Sequence, residues 1–278
     1  MQLQFAVQGP VPEEQSMHNI LHAQSLGLPS YRDLRPGSER LAVVGGGPSL
    51  ADHIDELKAW SGDIWAINGA WEFLRRHGIA SIFYTVDAHP MMSKFVKGTG
   101  VDRALLCSVC DPGVFEALRE ANAKVWTFDV HEAAADRIIN GTSTATTSPM
   151  VALRMGYRHV TYFGCEGSYF IGQSHTYQHE HRDDDFVVEC GGELFRTAPD
   201  YYFQALELAT IITLAPQTFA ERSGGFLRAA IKNEGRHDVK KVSKAMAAKI
   251  KILPVTETEQ PYHFIGGAFI QPGEEIRP

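Results

Sequence analysis

Short apolar runs alternate along this chain with amphipathic stretches at helical spacing. The first run is Leu41, Ala42, Val43 and Val44, and the chain then turns through Gly45, Gly46, Gly47, Pro48, Ser49 and Leu50. Beyond the turn, Leu50, Ile54, Leu57 and Trp60 fall on one helical face. The pattern predicts a strand, a glycine turn and a helix. Further strands are expected over 63–67, 81–86, 104–109, 124–128 and 159–163, and helices over 70–77, 114–121 and 200–214. A hydroxyl-rich loop, 141–148, is expected to lead into a helix over 149–155. A short helix is expected around 16–26, and a polar segment from 166 to about 192.

Strands alternating with helices predict an α/β fold: a Rossmann-like, doubly wound, mainly parallel sheet covered on both faces. In such sheets the ligand lies beyond the carboxyl ends of the strands. The polar candidates cluster there in sequence: the glycine turn after the first strand, Asn68 after the second, Asp87 after the third and Glu166 after a later one. Three regions are expected: an N-terminal extension, 1–39; a nucleotide-binding transferase domain, 40–234; and a small C-terminal appendage, 235–278. Lysines 240, 241, 244, 249 and 251 make the start of the appendage basic. The appendage is expected to be a solvated helix face and a hairpin, with a partner or homo-oligomer contact as the other reading.

Composition narrows the function. Lys and Arg total 26 against 33 Asp and Glu, a net charge of -7. There is no basic excess to grip a phosphodiester backbone, so general nucleic-acid binding is not expected. No segment approaches the roughly 20 apolar residues that span a bilayer, so no membrane partner is expected. Four cysteines in 278 residues are too few for a disulfide scaffold. A cytosolic, reducing location is the expectation.

Several motifs could carry chemistry. Three consecutive glycines let backbone approach a ligand closely, and Pro48 suits a first helical turn. Free amides and the helix dipole would favour a phosphate beside Gly45, Gly46, Gly47, Pro48 and Ser49. The turn is neither a Walker A loop nor G-x-G-x-x-G. Asn68, Thr142, Ser143 and Thr144 are candidates for positioning a nucleotide, with helix capping as the plainer reading. Asp87 is a candidate metal or ribose ligand, and Glu166 a candidate metal ligand. His175 is a candidate general base or phosphate ligand. The group His175, His179, His181, Asp183, Asp184 and Asp185 reads as a polar loop rather than a zinc site. Cys107 and Cys110 read as buried thiols, since their C-x-x-C ends a strand without a second pair. No G-x-S-x-G occurs for serine hydrolysis.

Taken in order, V-V-G-G-G-P-S-L, A-I-N-G-A, a strand ending at Asp87, M-G-Y-R-H-V-T-Y-F-G-C-E and S-H-T-Y resemble the 6-hydroxymethylpterin diphosphokinase (MptE-like) superfamily. The run F-R-T-A-P-D-Y-Y-F with A-L-E-L, and then S-G-G-F-L, resembles its phage-type members. The resemblance covers about 40–231. It implies a transferase that moves diphosphate from ATP to a hydroxymethyl-bearing acceptor. The roles it implies are Mg2+ held by Asp87 and Glu166, and His175 as base. Cys165-Glu166 departs from the family's usual apolar residue and Asp. A more distant similarity is to bacterial sialyltransferases that use CMP-sialic acid, through the G-x-G-P-S-L turn. They carry a catalytic His shortly before the long helix, where this chain has 195–199, Phe-Arg-Thr-Ala-Pro, without one. The alternatives to a diphosphokinase are therefore a nucleotide-sugar glycosyltransferase and a non-catalytic binding protein.

Overall fold

The computed structural model describes residues 11–132, 134, 136–169, 175–176 and 186–240, and the backbone of two short strands at 263–265 and 268–270. Helix α1 (Glu13–Ser25) is followed by β1 (Arg40–Val44). The glycine turn then leads into a 3-10 helix (Pro48–His53), which runs on as α2 (Ile54–Lys58). Next come β2 (Asp63–Ile67), α3 (Ala70–Arg76) and β3 (Ile82–Thr85). A 3-10 helix (Pro90–Phe95) leads to β4 (Arg103–Cys107), α4 (Pro112–Glu120) and β5 (Lys124–Phe128). The chain continues with α5 (Thr144–Met155), β6 (His159–Phe163), β7 (Phe186–Cys190) and β8 (Glu193–Thr197). It goes on to α6 (Pro199–Leu214), β9 (Phe219–Glu221), α7 (Gly225–Lys232) and β10 (Asp238–Lys240). A hairpin of β11 (His263–Ile265) and β12 (Ala268–Ile270) follows.

Seven strands form one parallel sheet in the order β5-β4-β3-β2-β1-β6-β9. β1 to β5 step outward in one direction, and β6 and β9 in the other. Right-handed crossovers then put α2, α3 and α4 on one face and α5 and α6 on the opposite one. This is the doubly wound α/β architecture expected. Strands buried on both faces read as continuous apolar runs, and 41–44 is fully buried. Trp65, Phe83, Tyr84 and Phe163 are among the largest fully buried side chains. Residues ahead of Arg40 also contribute: α1 packs on α4, and Ile20, Ala23 and Tyr31 are buried. Among the described residues, no helix is long and apolar enough to cross a membrane.

Three elements differ from the sequence pattern. The hydroxyl-rich stretch is largely helix, since α5 starts at Thr144 rather than Pro149. Ser143 caps it, paired with Thr146 in a reciprocal box. Pro149 therefore lies inside the helix, and the Ser148 hydroxyl donates to the Ala145 carbonyl at 2.7 Å, the acceptor that the missing Pro149 N–H leaves open. The polar segment ends in β7, which pairs antiparallel with β8 through Gly191 and Gly192. Both glycines have positive φ, as a two-residue hairpin turn requires. β10 joins β7 on its other side, so residues beyond 235 extend this small sheet.

Candidate functional site

β1 lies between β2 and β6, and the direction of winding reverses at the β1–β6 step. That step is the topological switch point, where the loops after the two strands separate the two halves of the sheet. Here the two loops lie against each other. The Gly45 amide donates to the Phe163 carbonyl and the Gly47 amide to the Gly164 carbonyl, both at 2.8 Å. The approach is so close that a Cβ on Gly45 would stand 2.5 Å from the Gly164 oxygen.

Glu166 continues the β6 loop and turns back under the glycine turn. It is 5% exposed, and its Oε1 accepts the Ser49 amide at 2.5 Å. A Cβ on Gly47 would lie 1.6 Å from Glu166 Oε2. Gly47 is therefore required by the carboxylate of this chain, and that carboxylate takes the Ser49 amide expected to be open to a phosphate. Pro48 opens the 3-10 helix as expected. Of the turn amides, only Gly46 N–H has no partner among the described residues.

Thr176 reaches the same turn from the other side. Its amide donates to the Gly46 carbonyl at 2.9 Å and its hydroxyl to the Gly47 carbonyl at 2.7 Å. This clamp sets neighbouring His175 beside the switch point. The His175 ring stands edge-on to Tyr201 in the first turn of α6, with centroids 5.8 Å apart. The S-H-T-Y run contains the clamp, but its chemistry draws attention to the histidine. His179, His181 and Asp183 to Asp185 lie outside the described residues.

Asn68 follows β2 in the left-handed region, with φ of 49°, and its buried Oδ1 has no partner among the described residues. Asn tolerates this conformation better than most residues, and such strain collects at functional positions. Asp87 follows β3, and its Oδ1 accepts the His89 amide at 2.9 Å. Thr144 is buried beside it, with its Oγ1 accepting the Val86 amide at 3.4 Å. Thr142 faces elsewhere: its amide and hydroxyl both donate to Glu207 on α6. Ser143 is occupied with capping α5. The structure thus gathers the glycine turn, Ser49, Glu166 and His175 at the switch point, with Asn68 on the adjoining strand. Asp87 and Thr144 stand farther along the carboxyl edge.

Asp87 and Glu166 are not brought together. β3 and β6 are three strand steps apart, which is about 14 Å at ~4.8 Å per step. The two carboxylates therefore sit on loops that leave well-separated strands of the carboxyl edge. Among the described residues, no group of three or more His, Cys, Asp or Glu side chains is placed to hold a metal. Asp200 of α6, which the sequence pattern did not single out, acts on Asp87 as a like charge.

Burial pushes the carboxyls of both Asp87 and Glu166 up. For Asp87 the neighbouring Asp200 adds to the rise, while the His89 amide opposes it. For Glu166 hydrogen bonding to Ser49 opposes it. The folded chain therefore holds these protons more tightly than the unfolded chain does. Their contribution to stability is most favourable below the ordinary carboxylate values, and it declines as pH rises through them toward the raised ones. Glu166→Gln is expected to flatten this decline. Urea unfolding at a series of pH values from about 4 to 8 checks it, and an unchanged slope would remove Glu166 as the source. All four cysteines are buried and free, and burial pushes the Cys107 and Cys165 thiols up to about 12. They are inert in this setting, as expected for Cys107 and Cys110.

The family model described as 6-hydroxymethylpterin diphosphokinase MptE-like matches residues 14–180, more than half of the chain. The chain belongs to this family. The match begins inside α1 and takes in β1 to β6, with the glycine turn, Asn68, Asp87, Glu166 and His175. It stops ahead of α6, whereas the resemblance read from the sequence runs on to Ile231. The family's name is that of a diphosphokinase, consistent with a transferase. No curated protein and no solved structure matches the chain, and the similarity to sialyltransferases gains no support.

Proposed function

We propose that the chain is a nucleotide-dependent transferase that moves diphosphate from ATP to a hydroxymethyl-bearing small molecule. The observation that carries this reading is Asn68 at the switch-point edge of the sheet, held at φ of 49° with its buried Oδ1 finding no partner among the described residues, together with the Gly46 amide, which also finds none there. The two follow adjacent strands, Gly46 after β1 and Asn68 after β2. Buried polar groups are nearly always paired, so a buried, strained Asn68 with an open carboxamide oxygen at this edge marks a place built for something other than stability. Family membership supplies the reaction class.

In this reading the acceptor oxygen attacks the β-phosphorus of ATP. The bond from that phosphorus to the oxygen bridging the α-phosphorus breaks, and AMP leaves. His175, held by the Thr176 clamp, takes the proton from the acceptor hydroxyl. The Gly46 amide and Asn68 orient phosphates, and Thr144 holds the loop that carries Asp87. Magnesium commonly binds through one or two carboxylates together with substrate phosphates, and Asp87 suits that arrangement. The ion would neutralise phosphate charge when bound. Glu166 acts as an internal support for the glycine turn rather than as a metal ligand.

Thermal shift with ATP, GTP, CTP and CMP, with and without Mg2+, tests the reading. ATP is expected to stabilise the chain more strongly with Mg2+. Asp87→Asn is expected to remove the magnesium-dependent part and leave the metal-free shift. Equal loss in both would make Asp87 a direct nucleotide contact. A response to CMP alone, without metal, would replace diphosphate transfer with the glycosyltransferase alternative. No response to any nucleotide would leave the binding-protein alternative.

A further inference from the structure

A cavity of about 310 Å³ lies beyond the carboxyl ends of β4 and β5, covered by the segment from the end of α1 to Tyr31. Small-molecule sites begin at about this size. Ala23, Leu28 and Phe128 give it apolar walls, and Asp129 gives it a charged end. Asp129 Oδ1 accepts the Ser108 hydroxyl at 3.0 Å and the His131 amide at 2.8 Å. Among the described residues, Oδ2 accepts only from the exposed Gln24 carboxamide, at 3.3 Å. All three donors are uncharged. Asp136, also on the wall, is different, because Arg32 and Arg154 both pair with it. The cavity therefore joins apolar surface to one carboxylate that no Lys or Arg among the described residues pairs with, and one of its oxygens is loosely held.

A buried or half-buried carboxylate of this kind is matched by a charged N–H donor, whose hydrogen bonds are about twice as strong as neutral ones. We propose that this cavity binds a compact monocationic amine, with its ammonium on Asp129 Oδ2 and its apolar body against Phe128 and Leu28. The inference does not rest on the transfer reading, since none of these residues takes part in it.

The test is protein-observed NMR on the full chain with a matched pair of probes, benzylamine and benzyl alcohol. Benzylamine is expected to bind at about millimolar affinity and to shift the resonances of Ala23, Phe128 and Asp129. Benzyl alcohol is expected to bind at least about tenfold more weakly. Asp129→Asn should erase the difference between the two. Gln24→Lys, at an exposed position that does not threaten folding, places an ammonium of the chain beside Oδ2. It should abolish benzylamine binding and raise the melting temperature. Equal binding of the two probes, shifts confined to other residues, or undiminished benzylamine binding in Gln24→Lys would each overturn the proposal.

Discussion

Gly47→Ala is expected to lower the stability of the chain by about 2–3 kcal/mol, or roughly 5–10 °C in melting temperature. The added methyl would stand 1.6 Å from Glu166 Oε2 and 2.7 Å from the Gly164 carbonyl oxygen. Neither neighbour can retreat easily. Glu166 is buried with its other oxygen on the Ser49 amide, and Gly164 is backbone already packed on Gly45. Glu166→Ala added to Gly47→Ala should recover part of the loss, because the carboxylate clash disappears while the carbonyl clash persists. Calorimetry on the two single variants and the double variant measures that coupling. A Gly47→Ala chain that melts within a degree of the parent would show that the turn is roomier than described. This effect exists without any ligand, which separates it from a loss of phosphate binding.

His175→Ala is expected to cut turnover about a hundredfold while leaving nucleotide affinity nearly unchanged. Proton removal from an acceptor hydroxyl is needed in the transition state and not for binding the nucleotide. The measurement requires an acceptor, so a screen of hydroxymethyl-bearing heterocycles, nucleosides and sugars comes first. Thr176→Val is the companion variant. It loses the hydroxyl bond to the Gly47 carbonyl but can keep the amide bond to Gly46. It should show a smaller fall in turnover, with His175 still present. Turnover within a few-fold of the parent for His175→Ala would take the histidine out of the chemistry.

The sheet was legible because parallel strands buried on both faces leave unbroken apolar runs such as 41–44 and 64–67, and the glycine turn marks the first crossover. The start of α5 was not, because Thr144 to Ser148 resemble a loop in composition. Only the Ser143–Thr146 box and the Ser148 bond to Ala145 reveal a helix there. The β7–β8 hairpin had a signal in Gly191-Gly192, hidden by the polar residues before it. At the site, strand order decided what spacing could not. Asp87 and Glu166 both follow strands, but nothing in the linear sequence places three strand steps between them. The hold of Glu166 on Ser49 and Gly47 was equally out of reach, since it joins segments far apart in the chain. Sequence alone made the glycines a cradle for a ligand, whereas Gly47 makes room for the protein's own side chain.

The position of β1 also governs how the chain must be made. β1 through β5 each pair with a strand close in sequence, so that part of the sheet can assemble as it leaves the ribosome. The other edge of β1 waits for β6, since Arg40 pairs with His159. At ordinary rates of synthesis that wait is on the order of ten seconds. Throughout it, Leu41 to Val44 present an uncovered, wholly apolar strand edge, the kind of edge that recruits other chains. The yield of folded protein should therefore depend on how quickly translation reaches β6. Slow codons between β5 and β6 would be harmful to it, while the same codons after β9 would be tolerated.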